Sequence, residues 1–106
     1  GARALWDTLY AHGAELVLNG HDHIYERFEP LSPDGKVDAA KGVQQFTVGT
    51  GGAGFYPIAG VQTGSAMHDG NTHGVLALTL EPDSYRWEFL AAAPGTFTDQ
   101  GSARCH

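Results

Sequence analysis

The 106-residue sequence contains one cysteine, Cys105, so no disulfide can close within it. That thiol is expected either to stay free or to pair with sequence outside this chain. The second case implies a secreted or extracytoplasmic protein. Basic residues are scarce: 6 Lys and Arg stand against 12 Asp and Glu, a formal charge of -6. A broad nucleic-acid surface needs clustered Lys and Arg, so that class is excluded. No apolar run approaches the ~20 residues of a membrane-spanning helix. No basic stretch followed by an apolar one marks a signal peptide. Repeats and low-complexity blocks are absent as well. The chain opens on Gly1 rather than Met, with a helical pattern that lacks an N-cap, so upstream sequence is expected. A hydrophobic fraction of 42% and a charged fraction of 17% fit a globular chain.

The segment from Ala2 to His12 reads as a helix. Leu5, Leu9 and His12 form a stripe that Trp6 and Tyr10 widen, and Gly13 is a plausible stop. Next comes Glu15-Leu16-Val17-Leu18-Asn19-Gly20, a short apolar run of the kind that forms a buried strand feeding a loop. Residues 30–42 hold two prolines, two glycines and several charges, and predict a solvated loop. Val43 to Val48 is a strand candidate. Residues 49–74 are glycine-rich and predict a long irregular stretch. Leu76, Leu78 and Leu80 alternate with Val75, Ala77 and Thr79. After Glu81-Pro82-Asp83-Ser84, Tyr85, Trp87 and Phe89 alternate with Arg86 and Glu88. This predicts a β-hairpin with its aromatic face buried. The tail from Pro94 is expected to be extended.

The motif with the clearest chemistry is Gly20-His21-Asp22-His23, directly after the first strand. Two His at i and i+2 of an extended backbone leave the same side. They can then serve two neighbouring metal ions, one each. Paired ions about 3.5–4 Å apart bind both the attacking and the leaving oxygen of a phosphoryl displacement. The same alternation groups His21, His23, Tyr25 and Arg27 on one face, with Asp22, Ile24, Glu26 and Phe28 on the other. Asp22 is therefore expected beside the ligands or at the surface. Gly49-Thr50-Gly51-Gly52-Ala53-Gly54 matches G-x-G-x-x-G, but Pro57 and Gly60 oppose the helix that a dinucleotide site requires, so a turn is expected. His68 and His73 flank Asp69 and are read as loop residues. His12 is read as a helix-end residue and His106 as a mobile terminal one.

Leu16 to Arg27 (LVLNGHDHIYER) resembles the last metal-binding motif of calcineurin-like metallophosphoesterases. The likeness is greatest to the purple acid phosphatase branch, in which a buried strand leads into G-H-x-H and then x-Y-E-R. Val48 to Gly52, Thr72 to Leu76, the aromatic strand Tyr85 to Phe89 and the Cys105-His106 ending resemble the C-terminal portion of bacterial secreted members. The resemblance implies a hydrolase of phosphoric esters working by a metal-bound hydroxide. His21 would bind one ion and His23 the other, the pair being Fe with Fe, Zn or Mn. Asn19, Tyr25 and Arg27 would lie near the substrate. The family's D-x-H, G-D-x-x-Y and G-N-H motifs are not in this sequence, and Gly70-Asn71-Thr72-His73 carries an inserted Thr. No residue here is therefore assigned as catalytic. The chain is expected to be one partial domain, residues 1–106, inactive without its N-terminal half.

The expected fold class is α+β. The strand ending at Asn19, Val43–Val48 and the C-terminal hairpin would share one sheet, with the N-terminal helix on its outer face. By the resemblance, this is half of a four-layer α/β/β/α sandwich. Two alternatives stand beside it: a cupin-like barrel using His21, His23 and Glu26 as ligands, and a non-catalytic secreted module.

Overall fold

The computed structural model describes residues 2–58, 60–94 and 97–106. The fold is α+β: helix α1 (Ala2–Ala11) precedes strands β1 (Leu16–Asn19), β2 (Tyr25–Phe28), β3 (Gln44–Val48), β4 (Ser65–Asp69), β5 (Gly74–Leu80), β6 (Ser84–Ala91) and β7 (Gln100–Arg104). The strands form two sheets. The first is mixed, in the order β1-β3-β2-β4, and the second antiparallel, in the order β5-β6-β7. Among the described strands only β1 and β3 pair in parallel. No described helix is long and apolar enough to cross a membrane.

The predicted hairpin forms, but it lies in a sheet of its own rather than beside β1 and β3. The reason is its aromatic face. Tyr85, Trp87 and Phe89 are each at most 7% exposed, and they pack against Tyr25 and Phe46 of the first sheet. An apolar sheet face needs a facing layer, not a lateral neighbour. Phe46 meets Trp87 nearly edge-on with ring centroids 5.4 Å apart, and Tyr25 lies 4.8 Å from Phe89. Thr50 ties the two sheets where they meet: it accepts from the Gly74 amide and donates its hydroxyl to the Gly74 carbonyl.

Besides β2, two further strands lie where no strand was expected. β4 occupies part of the glycine-rich region and pairs antiparallel with β2. In the tail, residues 95 and 96 lie outside the described residues, and β7 pairs with β6. Gly101 sits opposite Trp87, where a Cβ would lie 2.4 Å from the indole ring. The absence of a side chain lets β7 pass under the tryptophan. The hairpin connection is three residues, Glu81 to Asp83, closed by the Glu81 amide on the Ser84 carbonyl at 2.9 Å.

Helix α1 buries no residue. Its covered face is Trp6, Leu9 and Tyr10, whereas Leu5 is 62% exposed and His12 is exposed too. The predicted Leu5–Leu9–His12 stripe is thus rotated by one position. Trp6 Nε1 donates to the Leu31 carbonyl at 3.3 Å, and the Tyr10 hydroxyl to Asp38 at 2.6 Å. The helix is therefore held by the 30–42 loop. It stands off the outer face of the first sheet across a cleft of about 310 Å³ that includes Trp6, Phe28, Leu31 and Gln45.

The sandwich interior is open along one side. β1 and β5 are both edge strands. Between them runs an apolar groove lined by Leu18, Val48, Val75, Leu76 and Leu78. Leu18 is aligned with buried Phe46 on the same sheet face, yet it is 55% exposed. The core thus continues to this rim and is not covered there by any described residue.

The histidine loop as a candidate metal centre

Residues 20–24 form a bend between β1 and β2, so the histidines do not leave an extended segment. His21 has φ of 76°, in the left-handed region that a non-glycine residue rarely enters. Strand alternation therefore does not govern residues 21 to 23. It takes hold again from Tyr25 onward. The bend is shaped by two contacts: the Ile24 amide on the Asp22 carbonyl at 2.8 Å, and the Gly49 amide on the Ile24 carbonyl at 2.9 Å. Gly49 must be glycine here, because a Cβ would lie 1.9 Å from the Asp22 carbonyl oxygen.

His23 is fixed from its far side. Its Nδ1 lies 2.6 Å from the Gly54 carbonyl oxygen, which can only accept, so Nδ1 carries the proton. In the neutral ring Nε2 is then the nitrogen with a free lone pair. This is how metal-binding imidazoles are commonly oriented. Tyr56 stacks on the same ring, centroids 4.3 Å apart and planes at 28°. His73 repeats the pattern one residue earlier. Its Nε2 lies 3.0 Å from the Ala53 carbonyl, and its ring stacks on Phe55 at 4.3 Å. The Ala53–Tyr56 segment is thereby clamped between two histidines. It is a turn-rich loop and opens no helix, as Pro57 and the glycines predict. His21 is exposed and has no hydrogen-bond partner among the described residues.

The other predicted residues divide into two groups. Tyr25 and Arg27 face inward, toward Asp99. The Tyr25 hydroxyl donates to Asp99 Oδ2 at 2.6 Å, and Arg27 donates through Nε at 2.7 Å and Nη2 at 3.1 Å. The Arg27 guanidinium also lies over the Trp87 ring at 5.1 Å. The polar ends of both side chains are therefore taken up inside the molecule. Burial pushes the Tyr25 phenol up, and its bond to Asp99 adds to this. Burial also raises the Asp99 carboxyl, but the bonds from Arg27 and Tyr25 outweigh it, and the net shift is downward. Asn19 ends β1 in an exposed position and accepts from Thr47 Oγ1 at 2.9 Å. Asp22 is exposed, as expected.

Glu26 lies on the opposite face from Tyr25 and Arg27. Among the described residues no three of His, Cys, Asp and Glu come together as a metal-holding group, so the cupin-like set His21–His23–Glu26 does not assemble. Two facing sheets after a helix also differ from a single barrel. The fit to a metal pair rests on the chemistry of two imidazoles, with the tautomer of one set by a carbonyl. His106 is not loose. Its amide donates to Glu15 at 2.8 Å, and its ring nitrogens face Glu15 at 3.3 Å and the Gly42 carbonyl at 2.9 Å. Cys105 is exposed and free.

No family model, curated protein or solved structure matches this chain. Sequence pattern alone could not have picked out Gly54 and Tyr56. They act on His23 from 31 and 33 residues away, both through backbone atoms and Tyr56 through its ring as well.

Proposed function

We propose that this chain is the C-terminal part of a calcineurin-like metallophosphoesterase domain of the purple acid phosphatase branch. In that role it supplies His21 and His23 to a two-metal site that hydrolyses phosphoric esters. The observation that carries the reading is the His23 ring, held through Nδ1 by the Gly54 carbonyl with Nε2 left as a ligand. The loop's position after β1, at the end of the parallel β1–β3 pair, supports it further. When bound, a pair of Fe, Zn or Mn ions would supply Lewis-acid activation of the ester and of water. The chain's own part is to hold two imidazoles at the loop and to brace one of them with Gly54 and Tyr56. The remaining ligands belong to an N-terminal half, which would sit along the β1/β5 rim and complete a four-layer sandwich. The proposal includes a secreted or extracytoplasmic location, in keeping with the bacterial secreted members that the sequence resembles.

The test has two arms. Equilibrium titration of the 106-residue chain with Zn²⁺ should show only weak binding, since each ion finds one protein ligand where tight sites offer three or four. Tight binding of two ions would overturn the half-site reading. The protein extended by its upstream sequence should hydrolyse p-nitrophenyl phosphate, and His21→Ala or His23→Ala should each remove one ion and the activity. A metal-loaded, folded extended protein without phosphatase activity would overturn the enzymatic reading.

A further inference from the structure

A different feature lies on the outer face of the first sheet. Glu26 is 6% exposed, and its side chain makes no hydrogen bond or ion pair with any described residue. Its direct cross-strand neighbours are Thr47 and His68. Thr47 donates its hydroxyl to Asn19 instead. His68 is exposed and forms no ion pair with Glu26. The Glu26 side chain is largely covered, but its carboxylate oxygens still reach solvent and meet no donor among the described residues. Its side chain lines a cleft of about 310 Å³ with Asp22, Ile24, Tyr56, Ile58 and Gln62. Two carboxylates and no cationic side chain line this cleft, so it repels anions and attracts cations. Ile24, Ile58, Pro57 and the Tyr56 ring supply apolar wall, and Gln62 a polar one.

We propose that this cleft binds an organic cation on a short aliphatic stem, an alkylammonium or alkylguanidinium group, with Glu26 as its counter-ion on the cleft floor and Asp22 as a second, more exposed one. The apolar walls decide the class. A hydrated metal ion gains nothing from Ile24 and Ile58, and two carboxylates fall short of the ligand number that a hard divalent ion takes. An alkyl stem covers those walls while its head meets the carboxylates, as Lys and Arg side chains do on protein surfaces. A free amine and a Lys or Arg side chain share this chemistry. The inference does not depend on metal binding at His21 or His23.

The test is an amide-resolved NMR titration of the intact 106-residue chain. The probes are n-butylammonium, n-butylguanidinium, neutral n-butylurea, a blocked lysine (N-acetyl-lysine N-methylamide) and Ca²⁺. The two butyl cations should give saturable shifts at Ile24, Glu26 and Ile58, and n-butylurea should give none. Glu26→Gln should weaken binding by at least about tenfold. Asp22→Asn, at an exposed position that cannot unfold the sheet, should weaken it by about threefold. Blocked lysine binding as well as butylammonium points to a protein side chain as the natural occupant, and binding of the small cations alone points to a free amine. The proposal is overturned if butylurea binds equally or no shift saturates. It is equally overturned if Ca²⁺ reproduces the shifts at lower concentration, or if neither substitution weakens binding.

Discussion

Asp99 and Glu26 are two carboxylates buried to nearly the same degree, at 5% and 6% exposure, on opposite faces of one sheet. Asp99 receives three donor hydrogens, from Tyr25 and twice from Arg27. Glu26 receives none from the described residues. Adjacent residues of one strand, β2, point toward the two environments. The inward one is a finished network that locks the tail onto the first sheet. The outward one meets no donor among the described residues and reaches solvent. Residue burial by itself therefore does not separate a carboxylate held in a protein network from one left open to solvent. The count of donors does.

The largest expected effect breaks the inward side. Asp99→Ala leaves Arg27 buried without its counter-ion and should lower stability by about 3–5 kcal/mol, read from urea unfolding followed by Trp fluorescence. Asp99→Asn keeps an acceptor and should fall between that variant and the parent. A loss below about 1 kcal/mol for Asp99→Ala would mean that the network does not anchor the tail.

Next in size come the effects of pH. The carboxyl of Asp99 titrates below its ordinary value when folded, so its contribution is present above the unfolded carboxyl range near 4 and disappears as pH falls through the lower folded value. Asp99→Asn should flatten that acid limb of the stability curve. The phenols work in the opposite direction. Burial, with Glu15 nearby, pushes Tyr85 up to about 12, so its contribution is intact below pH about 10 and is lost as pH rises toward 12. Tyr25 adds to the same alkaline loss. Thermal melts across both limbs check these slopes, and Tyr85→Phe should remove part of the alkaline one.

Smaller still is the brace on His23. Tyr56→Ala should mobilise the ring and weaken Zn²⁺ binding in the extended protein by about tenfold, while Tyr56→Phe retains the stack and the affinity. Imidazole ¹⁵N shifts provide an independent reading: Nδ1–H should dominate in the parent and give way to tautomer averaging in Tyr56→Ala. The smallest effect belongs to the outward carboxylate. Glu26→Gln removes an unpaired charge and should change stability by no more than about 1 kcal/mol, in the stabilising direction. A loss comparable to that of Asp99→Ala would show that Glu26 already has a partner and would erase the contrast between the two.

Local signals account for the parts of this fold that were legible in the sequence. The β1 run, the β3 run and the Tyr85–Trp87–Phe89 alternation each carry their own periodicity, and all three form strands. The faces of β2 follow from simple alternation, which places Tyr25 and Arg27 together against Asp99. Distant pairings were not legible. Asp99 lies 72 to 74 residues from its donors and sits in a Thr- and Gly-rich tail with no strand pattern. β4 and β7 are rich in small and polar residues and are strands because β2 and β6 offer them open edges. The hairpin's own sheet depends on what its aromatic face finds opposite, which no window of sequence contains. At the histidine loop, G-H-x-H marked the residues, but the left-handed φ of His21 is imposed by the bend against Gly49 and had no trace in the pattern.

That left-handed residue has a consequence for any survey of substitutions. Selection for thermal survival alone should favour glycine or asparagine at position 21, because both occupy that backbone region more readily than histidine. Under the proposed two-metal function, selection for turnover of the extended protein should insist on the imidazole. A saturation library scored separately for the two traits would place position 21 at opposite ends of the two rankings, and the gap between them would measure how much foldability the chain gives up to keep a ring there.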